Sequence, residues 1–221
     1  MNEKLQIAID GPASAGKSTV AKLVATKLGY IYCDTGAMYR AVTFAARKKG
    51  IPFDDNQKLS ELMKEIQITF LPGENEQKVF VNDEEVTQAI RQPEITNNVS
   101  AVAAQPSVRE SLTNRQQEIA AQGGIVMDGR DIGTTVLPNA QVKIFLIASV
   151  HQRAVRRFKE NQEKGINTPL EVLEEEIKLR DYKDSHREIS PLTKAADAIE
   201  LDTTSLTIEE VVNQIMKIAK K

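Results

Sequence analysis

The chain has 221 residues, a net charge of −2, 41% hydrophobic and 27% charged residues, which is enough for one full α/β core with a small insertion. No global basic field exists to attract nucleic acid, so any polyanion must be met by local arginine clusters. With 8 Pro and 11 Gly a long disordered tract is excluded, and a single cysteine excludes an internal disulfide or a multi-cysteine metal site. The apolar run at residues 5–9 stops at Asp10, and the run at 144–150 is far too short for a bilayer. Neither a signal peptide nor a membrane anchor is expected, and the chain is expected to be cytoplasmic. Cys33 ends an apolar run and is expected in the core, because a reactive thiolate needs an electropositive, partly exposed setting.

Taken in chain order, the run at residues 5–9 reads as a buried strand. Gly11, Pro12, Ala13, Ser14, Ala15, Gly16, Lys17 and Ser18 then fit the pattern G-x-x-x-x-G-K-[ST]. Val20, Leu23, Val24 and Leu28 follow at helical spacing, and Gly29 supplies a stop. The run at 30–33 leads through a turn at Asp34, Thr35 and Gly36 into a helix marked by Met38, Ala41, Val42 and Ala45. Later runs at 125–127, 142–147 and 198–201 alternate with helical stretches, which indicates a parallel sheet of about five strands with helices on both faces.

Residues 67–71 and 78–81 break this rhythm, being short, β-rich and separated by Pro72 and Gly73. A further turn at Asn82 and Asp83 leads to Val86, so a small antiparallel meander is expected. It reads either as a second-substrate module or as a structural excursion. Residues 151–164 and 170–184 form two charged helices broken at Thr168 and Pro169. Thr207 and Glu210 form a capping box before the apolar positions Val211, Val212, Ile215 and Ile218 of a closing amphipathic helix.

The loop of residues 11–19 carries the first chemical implication. Its backbone N–H groups, reinforced by the following helix N-terminus, can wrap phosphate oxygens. Lys17 would reach the β/γ-phosphates and the Ser18 hydroxyl would ligate Mg²⁺. Asp128, Arg130 and Asp131 follow an apolar run, so with Asp34 they should border the same crevice at the carboxyl edge of the sheet; a purely structural Asp-Gly turn is the other reading. Arg153, Arg156 and Arg157 lie within five positions on a helix whose charge is locally unbalanced. Guanidinium groups bind phosphate bidentately, although an exposed helix also carries such charges idly. Arg180, Asp184 and Arg187 share one helical face if the helix persists, as phosphate ligands or as a surface ion-pair stripe.

Two absences narrow the chemistry. No N-K-x-D stretch selects guanine, and with only His151 and His186 a histidine base is not expected. A phosphate monoester has its second pKa at about 6 and is already a dianion at neutral pH, so it needs no base to become a nucleophile. Arginine wealth and base poverty together favour a phosphate acceptor.

Ile9, Asp10, Gly11 and Pro12 with the loop, then Asp34, Thr35, Gly36, Ala37, Met38, Tyr39 and Arg40, then Asp128, Gly129, Arg130, Asp131, Ile132 and Gly133, closely resemble the bacterial cytidylate kinases. The resemblance extends through Arg180, Asp181, Asp184, Arg187, Pro191 and Leu192. It implies a P-loop fold and transfer of the ATP γ-phosphate to CMP or dCMP, with Mg²⁺. It also implies three parts: a nucleotide-binding core at 1–35, 111–150 and 189–221, a monophosphate-binding region at 36–110 that contains the meander, and a helical lid at 151–188.

By the same resemblance, Gly11, Pro12, Ala13, Ser14, Ala15, Gly16, Lys17, Ser18 and Thr19 would bind the donor. Thr35 and Arg40 would lie near the acceptor, Ser100, Arg109 and Asp131 at the cytosine edge, and Arg130 at the acceptor phosphate. Arg180, Asp184 and Arg187 would hold its ribose and phosphate end. Lys17, Arg130, Arg153 and Arg157 would serve catalysis, the last two from the lid. Cytosine offers an amino donor at N4 where uracil offers an acceptor, so a carboxylate such as Asp131 can reward the first and repel the second. A monomer acting on small nucleotides, without nucleic acid or membrane, is expected. Rival readings are another small-acceptor kinase on this scaffold, such as a UMP kinase, or a P-loop regulatory module that signals to a protein partner.

Overall fold

In the computed structural model, which describes residues 4–71, 77–163 and 165–220, the apolar alternation resolves into two sheets. The first half of the chain runs β1 (Gln6–Asp10), α1 (Lys17–Leu28), β2 (Ile31–Asp34), α2 (Thr35–Lys48), α3 (Asn56–Glu65), β3 (Ile68–Leu71), β4 (Lys78–Val81) and β5 (Glu84–Glu85). A 3₁₀ turn at Ala89–Arg91 then precedes α4 (Pro93–Thr96), α5 (Val99–Ala103) and α6 (Pro106–Ala120). The rest comprises β6 (Ile125–Gly129), β7 (Val142–Ile147), α7 (Val150–Glu163), α8 (Leu170–His186), β8 (Ile199–Asp202) and α9 (Ile208–Ile218). Contacts divide the chain into one unit that ends at Asp34 and resumes at Gln117, and a second, Thr35–Gln116.

Five parallel strands in the order β2-β6-β1-β7-β8 form the first unit's sheet. β6 is buried at every position, which requires cover on both faces and explains why its sequence runs apolar without alternating. On one face Val20, Ala21, Val24 and Ala25 of α1 pack with Val211, Val212 and Ile215 of α9 over Ile7, Ile9 and Ile144. Leu23, expected on that stripe, is 40% exposed, because the buried seam follows the i, i+1, i+4, i+5 pattern and Leu23 points away from it. Gly29 stops α1 in the left-handed conformation, with its N–H bonded to Ala25 O and Thr26 O. The expected capping box of α9 is present, with Thr207 Oγ1 accepting from Glu210 N and Glu210 Oε2 accepting from Thr207 N.

The second unit carries the antiparallel meander β3-β4-β5, with Ile68 opposite Val81. Asn82, at φ 53, makes its tight turn. Pro72 and Gly73, the expected first turn, lie outside the described residues. At the start of this unit α2 begins at Thr35 directly after Asp34, with no intervening turn. Gly36 costs little there, since the first helical turn needs no interior hydrogen-bond donors.

Because every strand of the large sheet is parallel, their carboxyl ends share one edge. The loop of residues 11–16, Asp34, and the residues following Gly129 and Ile147 all leave from it. An unanticipated π-helical turn at Ile132–Val136 follows β6, a geometry that recurs beside functional sites.

Candidate functional site

The donor-type loop is shaped by two glycines and one strained serine. Gly11 has φ +145, and a Cβ there would meet Leu146 O at 2.1 Å, so only glycine lets the loop leave β1 so close to β7. Ser14, at φ 58, and Gly16, at φ 88, curl the backbone before α1 begins. Lys17 is its first residue, buried, with Nζ donating to Pro12 O at 2.6 Å. No acidic residue of α1 itself occupies its first turn, where Ser18 and Thr19 are exposed.

Carboxylates from three strand ends surround this loop. Asp34 and Asp128 are register partners on β2 and β6. Ser18 Oγ donates to Asp128 Oδ2 at 2.8 Å, while Tyr32 OH donates to Asp128 Oδ1 at 2.9 Å. Burial and then the adjacent Asp34 charge push Asp128 up to about 6. Asp10 accepts from Ile132 N at 2.8 Å and Gly133 N at 2.7 Å, which fastens the π-helical turn to the end of β1. Burial pushes Asp10 up to about 6 against the lowering effect of those two amides.

These shifts give a pH dependence with a definite sign. A carboxyl raised from 3.8 to about 6 in the folded state binds more protons there than when unfolded, so its contribution to stability is lost as pH rises through that window. Asp10→Asn should therefore flatten the fall in urea-unfolding free energy between pH 4 and 6 by up to about 1.4 kcal/mol per pH unit. An unchanged slope would remove Asp10 as its source.

Burial, then the Arg130 charge, hold the Lys17 ammonium well below its ordinary range, and Arg180 adds to the depression. Asp128 and Asp10 act in the opposite sense, so Lys17 is under the influence of charges of both signs. Burial likewise pushes the Cys33 thiol up to about 12, in keeping with a core residue rather than a nucleophile.

Other arginines are engaged across long sequence separations. Arg130 Nε donates to Asp184 Oδ2 at 3.0 Å and its Nη1 to Gly129 O at 3.3 Å. Arg187 Nη2 donates to Asp131 Oδ1 at 3.2 Å, both side chains being almost wholly buried. The helix does not persist to Arg187: α8 ends at His186, Arg187 is extended, and its guanidinium also bonds Ser190 O. Arg187 therefore meets Asp131 from beyond the helix end, not from a common face with Arg180 and Asp184.

The arginine cluster of α7 is not locally unbalanced either. Ala154 of α7 packs on Leu173 and Ile177 of α8. Asp181 accepts from Arg153 Nη2 at 2.5 Å, while Arg153 donates through Nη1 to Ala13 O and through Nε to Ala148 O. Arg156 holds Thr203 O and Oγ1, and Arg157 faces Glu160 at 3.7 Å. In the second unit, Thr35 is buried at the start of α2, Arg40 lies on α2, and Ser100 is buried on α5. Arg109 of α6 is buried, donates to Ala103 O at 3.1 Å, and sits 5.6 Å over the Tyr39 ring.

Several participants escaped the sequence reading. Asp10, Tyr32, Asp181 and Thr203, to which the sequence reading gave no role, act through partners 28 to 188 positions away, which no local pattern encodes. Asp10 alone had a usable signal, since it closes an apolar run just before the loop as Asp128 closes another.

Among the described residues, no group of three or more His, Cys, Asp or Glu could hold a metal ion. A hard cation fits beside Ser18 only if shared with phosphate oxygens and water, which is how Mg²⁺ is usually bound. No described helix is long and apolar enough to cross a membrane.

A crystal structure of an uncharacterized protein from Eubacterium ventriosum shares the fold at TM-score 0.53 and 12% identity, covering 99% of each chain. Sequence relatives are much nearer. The chain is 73% identical to a cytidylate kinase of Ligilactobacillus salivarius, over 100% of this chain and 99% of that one. It is 63% identical to a cytidylate kinase of Pediococcus pentosaceus over 100% and 97%, and 58% identical to one of Bacillus cereus over 99% and 97%. The profile of the cytidylate kinase family matches residues 7–221, a span that holds the loop, the Asp128 to Asp131 segment and both arginine-bearing helices. With that whole span matched, the chain belongs to the cytidylate kinase family.

Proposed function

We propose that the chain transfers the γ-phosphate of ATP to CMP or dCMP, giving ADP and CDP or dCDP. The observation that carries this reading is the Lys17 ammonium, buried at the end of the glycine-bounded loop with Nζ on Pro12 O and Ser18 beside it on Asp128. A buried cation held below its ordinary range gains stability from a bound polyanion. Family membership supplies the identity of the acceptor.

In this reading the amides of residues 11–19 and Lys17 fix the donor triphosphate. Ser18, with Asp128 accepting its hydrogen bond, would hold Mg²⁺, whose contribution when bound would be neutralisation of charge on the donor phosphates. Arg130 holds the acceptor phosphate in line with the donor, and Asp184 holds Arg130. Asp131 accepts from the cytosine amino group while Arg187 fixes its carboxylate. The family resemblance assigns Thr35, Arg40, Ser100, Arg109 and Arg180 to the acceptor as well.

Positioning and charge stabilisation supply the rate, with no covalent intermediate and no general base. The three-part anatomy, with 151–188 as a closing lid, belongs to the same proposal. Arg157 is the better candidate to close over the donor, because its pairing with Glu160 at 3.7 Å is partly exposed and inexpensive to break. Arg153 acts from its buried position, steadying the loop through Ala13 O.

Coupled ADP release should be much faster with CMP or dCMP than with UMP, AMP or shikimate. Release with CMP no faster than with buffer would overturn the assignment. ATP turnover indifferent to every acceptor would point instead to a P-loop regulatory module.

A further inference from the structure

Ser18 offers a cation its hydroxyl oxygen only if the hydroxyl proton is directed elsewhere. Here that proton goes to Asp128 Oδ2 at 2.8 Å, so the lone pairs of Ser18 Oγ are left for a metal. The arrangement demands that the carboxylate plane of Asp128 keep one oxygen facing Ser18. A carboxylate can rotate about its terminal torsion, which is broad rather than confined to narrow wells. Something must therefore hold its plane.

Tyr32 does this. Its OH donates to Asp128 Oδ1 at 2.9 Å from the neighbouring strand, where Tyr32 is the register partner of Val126 and Asp34 that of Asp128. Two donors, one on each carboxylate oxygen, fix the plane of Asp128 and thereby the direction of the Ser18 hydroxyl. A phenol carries its proton at neutral pH, so Tyr32 is a donor there. The rigid β2 backbone sets where the phenol can reach, because β2 pairs with β6 from Ile31 to Asp34. Nothing in the loop pattern itself points to this residue.

We infer that Tyr32 is a positioning residue for the metal–nucleotide complex, acting on Ser18 through Asp128 and through its own side-chain hydrogen bond with Ser18. This rests on the reading of residues 11–19 as the donor site. Outer partners of metal ligands orient them, and losing one typically costs about 10- to 100-fold in metal affinity or activity. Tyr32→Phe keeps the ring and removes only the donor.

The test is calorimetric binding of a non-hydrolysable ATP analogue, measured with EDTA and again with Mg²⁺, together with turnover on CMP. In Tyr32→Phe the affinity gained from Mg²⁺ should shrink by about 10-fold. Metal-free affinity should stay within about twofold of the wild type, a control that also reports correct folding. The kcat should fall while the KM for CMP does not change. In an Asp128→Asn background, Tyr32→Phe should cost less of the Mg²⁺ gain than it does alone, because one of the two groups it steers is already altered.

An undiminished Mg²⁺ gain in Tyr32→Phe overturns the inference, as does an equal loss of affinity with and without metal, which would mark a merely structural tyrosine. Losses that add fully in the double variant overturn it too. A wild-type protein that gains nothing from Mg²⁺ overturns the donor-site reading along with it, so the two failures are distinguishable.

Discussion

Replacing Lys17 by alanine is expected to lower kcat about 1,000-fold, while leaving the melting temperature unchanged or raising it. The two outcomes separate because the lysine is costly to the folded protein and valuable to the reaction. Burial and then the charge of Arg130, with Arg180 adding, outweigh the raising effect of Asp128 and Asp10 and hold its ammonium well below the ordinary range, so folding disfavours its protonated form. A group whose folded value is depressed in this way takes away stability at pH values below its unfolded value, and alanine removes that penalty. Alanine also suits the first position of α1, where Lys17 sits. A bound triphosphate reverses the balance for lysine, since the charge is then paired and positioned against the transferred group. Steady-state kinetics and thermal unfolding of the same preparation check both halves. Near wild-type kcat would remove Lys17 from contact with the transferred phosphate, and a collapsed fold would show that its bond to Pro12 O matters more than its burial costs.

Asp131→Asn is expected to lower the CMP-over-UMP ratio of kcat/KM by about 10- to 100-fold, the range that one good base-edge contact supplies. The amide keeps an oxygen for the N4 amino group of cytosine but also offers an N–H₂ to O4 of uracil, so the repulsion that excludes UMP disappears. The structure adds a second job that complicates absolute rates. Asp131 balances the buried Arg187 at 3.2 Å, and removing one partner of a buried pair typically costs about 3–5 kcal/mol. Both variants of the acceptor meet the same weakened protein, so a ratio of specificity constants cancels that loss where a single rate would not. An unchanged ratio would confine Asp131 to holding Arg187. Thermal unfolding should show the stability cost in either case.

Much of this protein could be read along the chain because its signals are local. The loop pattern, the helix stop at Gly29, the capping box at Thr207 and Glu210, and the apolar runs of β1, β6 and β7 depend on neighbours within a few residues. Backbone geometry and periodic burial act over that range, so composition and spacing suffice to specify a parallel sheet with a small antiparallel insertion. Leu23 shows the limit of periodicity: it fits the spacing of its neighbours and still faces out, because the seam is chosen by what α9 presents. The arginines show another. Local charge left Arg153, Arg156 and Arg157 unbalanced, yet Asp181 and Thr203 reach two of them from elsewhere in the chain, and Arg157 faces the nearby Glu160.

The sequence by itself determined the phosphate-binding loop, the alternating α/β plan, the carboxylates closing apolar runs and the arginine-rich character of the acceptor chemistry. Only the tertiary structure decided that Ser18 and Tyr32 each bond one oxygen of Asp128, that Asp10 fastens the turn after Asp131, and that Arg187 reaches Asp131 from beyond the end of α8. Hydrogen bonds and buried ion pairs depend on distances of about 3 Å between groups far apart in the chain. Such distances exist only once the strands have set their register and brought their carboxyl ends to a common edge.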